Sequence, residues 1–393
     1  MRYLRAAVLL SAALIVCTAT ALRAQGLFEQ TELFVSGQDN YNTYRIPSVV
    51  CTKSGTVLAF TEGRKDIGKD GGPTDIVLKR SLGNAGPWTP AFAAPQGEGR
   101  DRHNTMMWLP LQVVFRSANG DAWMNPVPVV DQSDGAIFLV ANLFKQPYKD
   151  GNAPIWLIKS TDEGATWSEP VEITQGTGIH EIGPGAGIQL HSGRLVVQVY
   201  DGVIYSDDHG KSWKSGGAAP GDWNETQVVE LVDGTLLFSR RGMRSRRILF
   251  SKDQGETWSQ PVADPDLPDP DCQGSMIRYT REDQGYSKNR ILFSNPVSGN
   301  IGVGSATSDP RGRFNVTVRM SYDEGKTWPV QKTILQGPGA YSSMTVFPDG
   351  SIGILFETGA RYGDFADHYS KEVFARFTLD WLTDGKDYLE KLN

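Results

Sequence analysis

The sequence is poor in cysteine and histidine, with three cysteines and five histidines among 393 residues. Cys17 lies in an apolar N-terminal segment, which leaves only Cys51 and Cys272 in the rest of the chain. Two cysteines do not make a disulfide framework, and the histidines show no spacing typical of a catalytic zinc site. We therefore predict a fold that depends on its own hydrophobic core, with no metal or cofactor in its functional site.

The chain also lacks an excess of basic residues. Lysine and arginine together number 39 against 45 aspartates and glutamates, which gives a formal net charge of −6. Proteins that bind nucleic acid generally replace phosphate counterions with a basic surface, so this composition argues against a nucleic-acid partner. Beyond the N-terminal segment, no apolar run approaches the roughly 18 residues that a membrane-spanning helix needs. We therefore predict no membrane span in the mature protein.

The N-terminal segment has the order of a targeting sequence. Arg2 and Arg5 precede an apolar stretch over residues 6–22, and cleavage is plausible after either Ala21 or Ala24. This order is typical of a secretory signal peptide. We predict a signal peptide over residues 1–24, a single domain over residues 25–393, and a secreted or periplasmic location.

The most informative feature of the sequence is an internal repeat. Four octapeptides share the pattern Ser-x-Asp-x-Gly-x-Thr/Ser-Trp and begin at residues 160, 206, 251 and 321, while a fifth at residues 81–88 lacks the aspartate. Aspartate and serine side chains accept hydrogen bonds from nearby backbone amides, glycine supplies a positive φ, and tryptophan packs beneath the turn. Each intact octapeptide follows a β-rich run, so the repeat predicts a hairpin turn.

Further strand signals lie between the octapeptides, for example at residues 136–140, 194–199 and 352–356, and Asp-Gly or Ser-Gly pairs join many of them. Repeats of several short strands are typical of a β-propeller, and roughly 60 residues per blade would give about six blades. We predict an all-β, six-bladed β-propeller with the octapeptides as its hairpin turns. A β-sandwich or a β-helix is the rival fold. One helix is predicted near the C-terminus, within residues 380–392.

The octapeptides resemble the Asp-box of sialidases (neuraminidases), although non-enzymatic propellers also carry that box. Other segments strengthen the resemblance, and they follow one another in the order found in bacterial exo-α-sialidases. These segments are Tyr-Arg-Ile-Pro at residues 44–47, Glu-Gly-Arg-Lys at 62–65, Asn-Glu-Thr-Gln at 224–227, Ser-Arg-Arg at 239–241, Arg-Phe-Asn-Val at 313–316 and Ala-Tyr-Ser-Ser at 340–343. The resemblance covers the chain from about residue 44 to residue 357.

The resemblance implies a cluster of arginines that binds the carboxylate of sialic acid. A planar, permanently charged guanidinium forms paired hydrogen bonds with such a group. The three cluster positions map to Arg45, Arg241 and Arg313, and Arg64 is implied as an accessory arginine. Neighbouring arginines leave alternatives, namely Arg240 beside Arg241, and Arg311 and Arg319 near Arg313. Because successive strand residues point to opposite faces, only one of Arg240 and Arg241 can face the substrate.

The resemblance also implies three catalytic groups. Asp70 follows Arg64 by six residues in a glycine-rich segment and is implied as the acid that protonates the leaving group, with Asp66 as the alternative. Tyr341 is implied as the nucleophile and Glu225 as its base. A neutral phenol avoids the repulsion that a carboxylate nucleophile would meet beside the substrate carboxylate. Glu230 is a weaker candidate for the base, because a regular strand would point it to the other face.

Together these inferences predict a retaining exo-α-sialidase that removes terminal sialic acids from glycans through a tyrosyl-enzyme intermediate. Two alternatives stay open at this stage. The same site could act mainly as a trans-sialidase, with a sugar in place of water as the acceptor. Alternatively, the chain could be a non-catalytic Asp-box propeller that binds a glycan. The sequence does not determine the linkage preference or the oligomeric state.

Overall fold

The computed structural model describes residues 26–66, 70–82, 106–146, 153–297, 312–359, 361–362 and 365–392. The predicted signal peptide, most of the degenerate fifth octapeptide and Arg311 lie outside the described residues. Within the described ranges, no helix is both long and apolar enough to cross a membrane. Cys51 and Cys272 are free thiols.

The chain forms antiparallel groups of strands that follow one another in sequence. The first described strand, β1 (Phe28–Val35), pairs with the last, β25 (Lys371–Phe377). The next group contains β2 (Thr43–Cys51), β3 (Val57–Arg64), β4 (Thr74–Arg80) and β5 (Gln112–Phe115). It is followed by β6 (Ala122–Val130), β7 (Ile137–Phe144), β8 (Ile155–Ser160) and β9 (Val171–Glu172).

The following strands repeat this meander. One group contains β10 (Ile188–Gln189), β11 (Leu195–Val199), β12 (Gly202–Ser206) and β13 (Lys214–Ser215). Another contains β14 (Thr226–Glu230), β15 (Leu236–Arg240), β16 (Met243–Ser251) and β17 (Val262–Pro270). The next contains β18 (Ser275–Thr280), β19 (Arg290–Val297), β20 (Phe314–Ser321) and β21 (Val330–Val346).

Strand β21 belongs to two groups. Its first part pairs with β20, and its second part pairs with β22 (Ile352–Thr358), which in turn pairs with β25. A short hairpin is formed by β23 (Arg361–Tyr362) and β24 (Phe365–Ala366). The described helical segments are α1 (Thr174–Thr177), α2 (Leu379–Leu382) and a 3-10 turn at Glu282–Gln284.

The hydrophobic core is divided into clusters that lie between successive strand groups. One cluster joins Phe60 of β3 to Leu139 of β7, and the next joins Phe138 of β7 to Val197 of β11. The same arrangement continues around the molecule, and a further cluster joins Phe34 of β1 to Ala59 of β3. Sheets packed face to face in sequence order are the packing of a β-propeller. The all-β class predicted from the sequence is confirmed, while the number of blades stays a prediction.

Each intact Asp-box octapeptide joins the third strand of a group to the fourth and forms the same turn. In the first octapeptide, Ser160 Oγ accepts the amide of Gly164 at 2.9 Å. Asp162 Oδ1 accepts the amide of Thr166 at 2.9 Å, and its Oδ2 accepts the Thr166 hydroxyl at 2.6 Å. The other three octapeptides repeat these bonds. The residue before each glycine also has a positive φ, for example 57° at Glu163, which the sequence pattern did not predict.

The predicted C-terminal helix is wrong over most of its length. Helix α2 covers only Leu379–Leu382. Asp384 and Gly385 both take a positive φ, and the Gly385 amide donates to the carbonyl oxygen of Asp380 at 2.7 Å. Left-handed residues at this position end a helix. The next segment is held by a buried ion pair between Arg290 and Asp387 at 2.8 Å instead of by helical hydrogen bonds.

Candidate active site

Three predicted arginines from three strand groups converge on Tyr341. Arg45 lies in β2, Arg241 directly follows β15, and Arg313 directly precedes β20. Arg241 Nη1 lies 3.0 Å from the Tyr341 hydroxyl oxygen. The guanidinium carbons of Arg45 and Arg313 each lie 5.4 Å from the centre of the Tyr341 ring. The structure therefore brings these residues, which are far apart in the sequence, to one end of the strand groups.

Tyr341 and Glu225 form a close hydrogen-bonded pair within this cluster. The Tyr341 hydroxyl donates to Glu225 Oε1 at 2.5 Å, and Glu225 Oε2 lies 2.6 Å from Arg241 Nη1. Burial raises the pKa of the Tyr341 phenol well above its usual value and Glu225 adds to the rise, while Arg241 and Arg313 act in the opposite direction. The phenol is therefore neutral at rest. A carboxylate within hydrogen-bond reach can accept its proton when the oxygen attacks.

Arg45 is held in place by Glu357, a fully buried residue at the end of β22. Arg45 Nε donates to Glu357 Oε1 at 2.7 Å, and the guanidinium stacks on the ring of Tyr369, with its carbon 3.8 Å from the ring centre. Glu357 also accepts the backbone amides of Ile46 at 2.9 Å and Tyr341 at 3.0 Å. One carboxylate thus fixes both an arginine and the backbone of the tyrosine.

The backbone beside Arg45 is strained. Ile46 has a φ of 65°, a conformation that a β-branched residue rarely adopts. Such strain persists only where surrounding contacts enforce it, and it is found mainly at functional sites. The hydrogen bond from the Ile46 amide to buried Glu357 is a contact of this kind.

The geometry separates Arg241 from its neighbour Arg240. Arg241 Nε forms an ion pair with Asp271 at 2.8 Å, in addition to its contacts with Glu225 and Tyr341. Arg240 instead donates to the carbonyl oxygen of Pro220 at 2.7 Å and does not join the cluster. The structure places the two side chains in different surroundings, as strand alternation predicts.

Arg313 is similarly distinct from Arg319. Arg313 donates to the Tyr369 hydroxyl at 3.1 Å and to the carbonyl oxygen of Asp271 at 2.7 Å. Arg319 donates instead to Asn295 Oδ1 at 2.9 Å. Arg311 lies outside the described residues. The position of Arg313, and not that of Arg319, is therefore compatible with a joint carboxylate site.

Arg64 and Asp70 form a second charged group next to β2. Arg64 is buried, and its Nη2 lies 2.6 Å from Glu62 Oε2 and 2.8 Å from Asp70 Oδ1. Burial raises the pKa of Glu62, although Arg64 acts to lower it. The Asp70 side chain is 66% exposed, so it can meet a ligand from solvent. The alternative acid, Asp66, is also exposed.

Glu230, the weaker candidate for the base, has partners other than Tyr341. Its carboxylate accepts a hydrogen bond from the backbone amide of His191 at 2.8 Å, and the residue lines a cavity that does not include Tyr341. Sequence reasoning missed four residues that support the cluster: Glu62, Asp271, Glu357 and Tyr369. A signal existed for Glu357, because a charged residue directly follows the apolar run at residues 352–356. No comparable pattern marks Asp271 or Tyr369.

Comparison with known proteins gives a consistent assignment. The BNR repeat-like domain family matches residues 55–354. The exo-alpha-sialidase of Aspergillus fumigatus is 31% identical over 380 residues, which covers 88% of this chain and 86% of that protein. The chain belongs to the sialidase family. The resemblance identified from the sequence motifs is thereby confirmed, and the relatives named sialidase are glycoside hydrolases.

Other members of the sialidase family extend the comparison. The sialidase of Micromonospora viridifaciens is 32% identical over 390 residues and covers 90% of this chain. This chain spans only 56% of the length of that relative. The solved structure of the Hadza microbial sialidase Hz136 is similar with a TM-score of 0.72 and 26% sequence identity, covering 90% of this chain and 69% of that one. This chain shares the β-propeller type of fold with that sialidase structure.

Proposed function

We propose that this protein is a retaining exo-α-sialidase that removes terminal sialic acids from glycans through a tyrosyl-enzyme intermediate. The observation that carries the proposal is the Tyr341–Glu225 hydrogen bond of 2.5 Å within a cluster of three arginines. Family membership supports the reaction class. The sialylated substrate is part of the proposal, because this chain spans little more than half of the M. viridifaciens relative.

The arginine cluster fits the carboxylate that sialic acid carries on its anomeric carbon. Arg45, Arg241 and Arg313 approach Tyr341 from three strand groups, so their guanidinium groups can surround one anion beside the tyrosine oxygen. Charged hydrogen bonds between guanidinium and carboxylate are strong and directional. Binding of this carboxylate would place the anomeric carbon next to the Tyr341 oxygen. Because the phenol is neutral, the substrate carboxylate does not repel it.

In the proposed first step, the Tyr341 oxygen attacks the anomeric carbon while Glu225 accepts the phenol proton. Asp70 donates a proton to the departing sugar oxygen, so that the leaving group departs as an alcohol. In the second step, water attacks the tyrosyl intermediate and gives its proton to Asp70, while Glu225 returns its proton to Tyr341. Two displacements at one carbon give net retention of configuration.

We also propose that the domain over residues 25–393 has six blades. Residues of β2, β6, β10, β14, β18 and β21 together line one cavity of about 410 Å³, as expected if each is the innermost strand of a blade. The apolar clusters between successive groups agree with this arrangement. The signal peptide predicted at residues 1–24 supports a secreted or periplasmic location.

The proposal is tested with an aryl α-sialoside whose leaving group is fluorescent. The wild-type protein should release the fluorophore, and proton NMR should show the α-anomer of sialic acid as the first product. Lactose added as an acceptor distinguishes hydrolysis from a trans-sialidase reaction, since only the latter would give mainly sialyllactose. A folded protein that binds sialosides without turnover would support the non-catalytic alternative and overturn the proposal.

A further inference from the structure

A second buried carboxyl group lies close behind Arg45. Glu372 of β25 is fully buried and is paired in register with Glu357 of β22, the residue that binds Arg45. Glu372 Oε1 lies 2.7 Å from the hydroxyl oxygen of Thr61 in β3. Within the part of the chain that the structure describes, Glu372 Oε2 has no hydrogen-bond partner.

If Glu372 is ionised, there are too few hydrogen atoms for the two hydrogen bonds of the Thr61 hydroxyl. Thr61 Oγ1 lies 2.7 Å from the carbonyl oxygen of Arg45 and 2.7 Å from Glu372 Oε1. Each contact requires a hydrogen between the two oxygens, but a hydroxyl supplies only one. The carbonyl oxygen cannot supply the second hydrogen, so it must come from the carboxyl group. The carboxyl group of Glu372 then donates to Thr61 Oγ1, and the Thr61 hydroxyl donates to the carbonyl oxygen of Arg45.

We propose that Glu372 is a protonated positioning residue, which anchors the backbone of Arg45 through Thr61 and adds no second negative charge behind this arginine. The neutral form also explains why Glu372 Oε2 can lack a hydrogen-bond partner. Burying an unpartnered carbonyl oxygen costs less free energy than burying an unpartnered charged oxygen. The effect on substrate binding rests on the proposed function, whereas the protonation state does not.

The surroundings of Glu372 favour the neutral form. The titratable and charged groups that face it are Glu357 on β22, Glu62 on β3, and Arg45 and Tyr44 on β2. Burial raises the pKa of Glu372 well above its usual value, and the neighbouring Glu357 adds to the rise, while Arg45 acts in the opposite direction. An ionised Glu372 would place two carboxylates beside Arg45 and weaken its attraction for an anionic substrate.

The protonation state can be tested without any substrate. A glutamate that is protonated in the folded state but ionised in the unfolded state destabilises the folded protein as pH rises above its unfolded pKa of about 4.3. The equilibrium constant for folding then falls by up to about tenfold per pH unit. Glu372→Gln removes this proton-linked loss, and its amide can still donate to Thr61. We expect the variant to match the wild type in urea unfolding at pH 4 and to be more stable at pH 8. Lower stability of the variant at pH 8 would overturn the proposal.

Infrared difference spectroscopy provides a second readout. The wild type at pH 7 should show the carbonyl-stretching band of a protonated carboxylic acid that Glu372→Gln lacks. If the two spectra do not differ in that region, Glu372 is ionised and the proposal fails. This result would leave the proposed sialidase activity unaffected, so the two failures are distinguishable.

The positioning role is tested by comparing Glu372→Gln with Glu372→Leu, which is similar in size but has no donor. We expect the leucine variant to raise KM for an aryl sialoside by about tenfold, corresponding to about 1.4 kcal/mol, because Arg45 loses its anchor. The glutamine variant should restore most of this affinity and remove any alkaline rise in KM that stems from Glu372 ionisation. If glutamine raises KM as much as leucine does, the charge of Glu372 is required and the proposal is wrong.

Discussion

Replacement of Arg241 by alanine should remove most of the catalytic power of the site. Arg241 contacts Glu225 at 2.6 Å and the Tyr341 oxygen at 3.0 Å, and it is one of three guanidinium groups available to a substrate carboxylate. A hydrogen bond to a charged group contributes about 1.5–3 kcal/mol, so the loss of a two-pronged contact costs roughly 3–6 kcal/mol. At about 1.4 kcal/mol per factor of ten, kcat/KM should fall by roughly 10²–10⁴-fold.

The assay is initial-rate hydrolysis of a fluorogenic sialoside, with folding checked by circular dichroism. Arg241→Lys should recover only part of the loss, because an ammonium group cannot form the paired contact. Arg240→Ala is the matched control. It removes a side chain that is only 1% exposed and the donor to the partly buried carbonyl of Pro220. We expect it to lower stability by about 1–3 kcal/mol, with kcat/KM of the folded protein near that of the wild type. Near-normal turnover in Arg241→Ala, or collapse only in Arg240→Ala, would refute the assignment.

Three further predictions concern other parts of the molecule. Asp70→Asn should slow natural sialosides far more than an aryl sialoside, whose leaving group needs little protonation; the same pattern in Asp66→Asn would transfer the acid role to Asp66. Tyr341→Phe should fold normally but lose turnover, and a fluorinated sialosyl donor should label the peptide that contains Tyr341, whereas a label on a carboxylate would contradict the tyrosine mechanism. Asp162→Ala should lower stability at pH 7 by about 0.5–2 kcal/mol without changing kcat/KM. Hydrogen bonds from Thr166 lower the pKa of Asp162 to about 2, so this stabilisation is present above its unfolded pKa of about 4 and is lost as pH falls towards 2. Urea unfolding at both pH values checks it, and an equal loss at pH 2 and pH 7 would contradict the turn assignment.

Local turn chemistry could be predicted from the sequence because its determinants lie within eight residues. Ser160, Asp162 and Thr166 make the expected hydrogen bonds, and the other octapeptides repeat them. The C-terminal helix was mispredicted because the ion pair of Arg290 with Asp387 and the left-handed Gly385 override the local helical preference. Tertiary contacts of this kind leave no periodic pattern in the sequence.

The candidate site was predictable where motifs carried it. Strand alternation predicts that Arg240 and Arg241 point to opposite faces, and this rule can be applied to the sequence alone. In the structure the two side chains have different partners, Asp271 for Arg241 and the carbonyl oxygen of Pro220 for Arg240. The supporting residues could not be found in this way. Glu357 acts on Arg45 across 312 residues, and Asp271 acts on Arg241 from a separate loop, so neither has a local signature.

The pairing of β1 with β25, and the shared membership of β21 in two strand groups, determine when the site can form. Glu225 meets Tyr341 across 116 residues, and Arg45 meets Glu357 across 312 residues. Contacts of such high sequence separation form slowly, because loop-closure entropy must be overcome first. A nascent chain on the ribosome therefore lacks a complete candidate site until β25, which ends at Phe377, has emerged and paired with β1 and β22. Assembly of the candidate site is thus a late event of synthesis, and its recovery during refolding reports the pairing of the terminal strands instead of the folding of any single sheet.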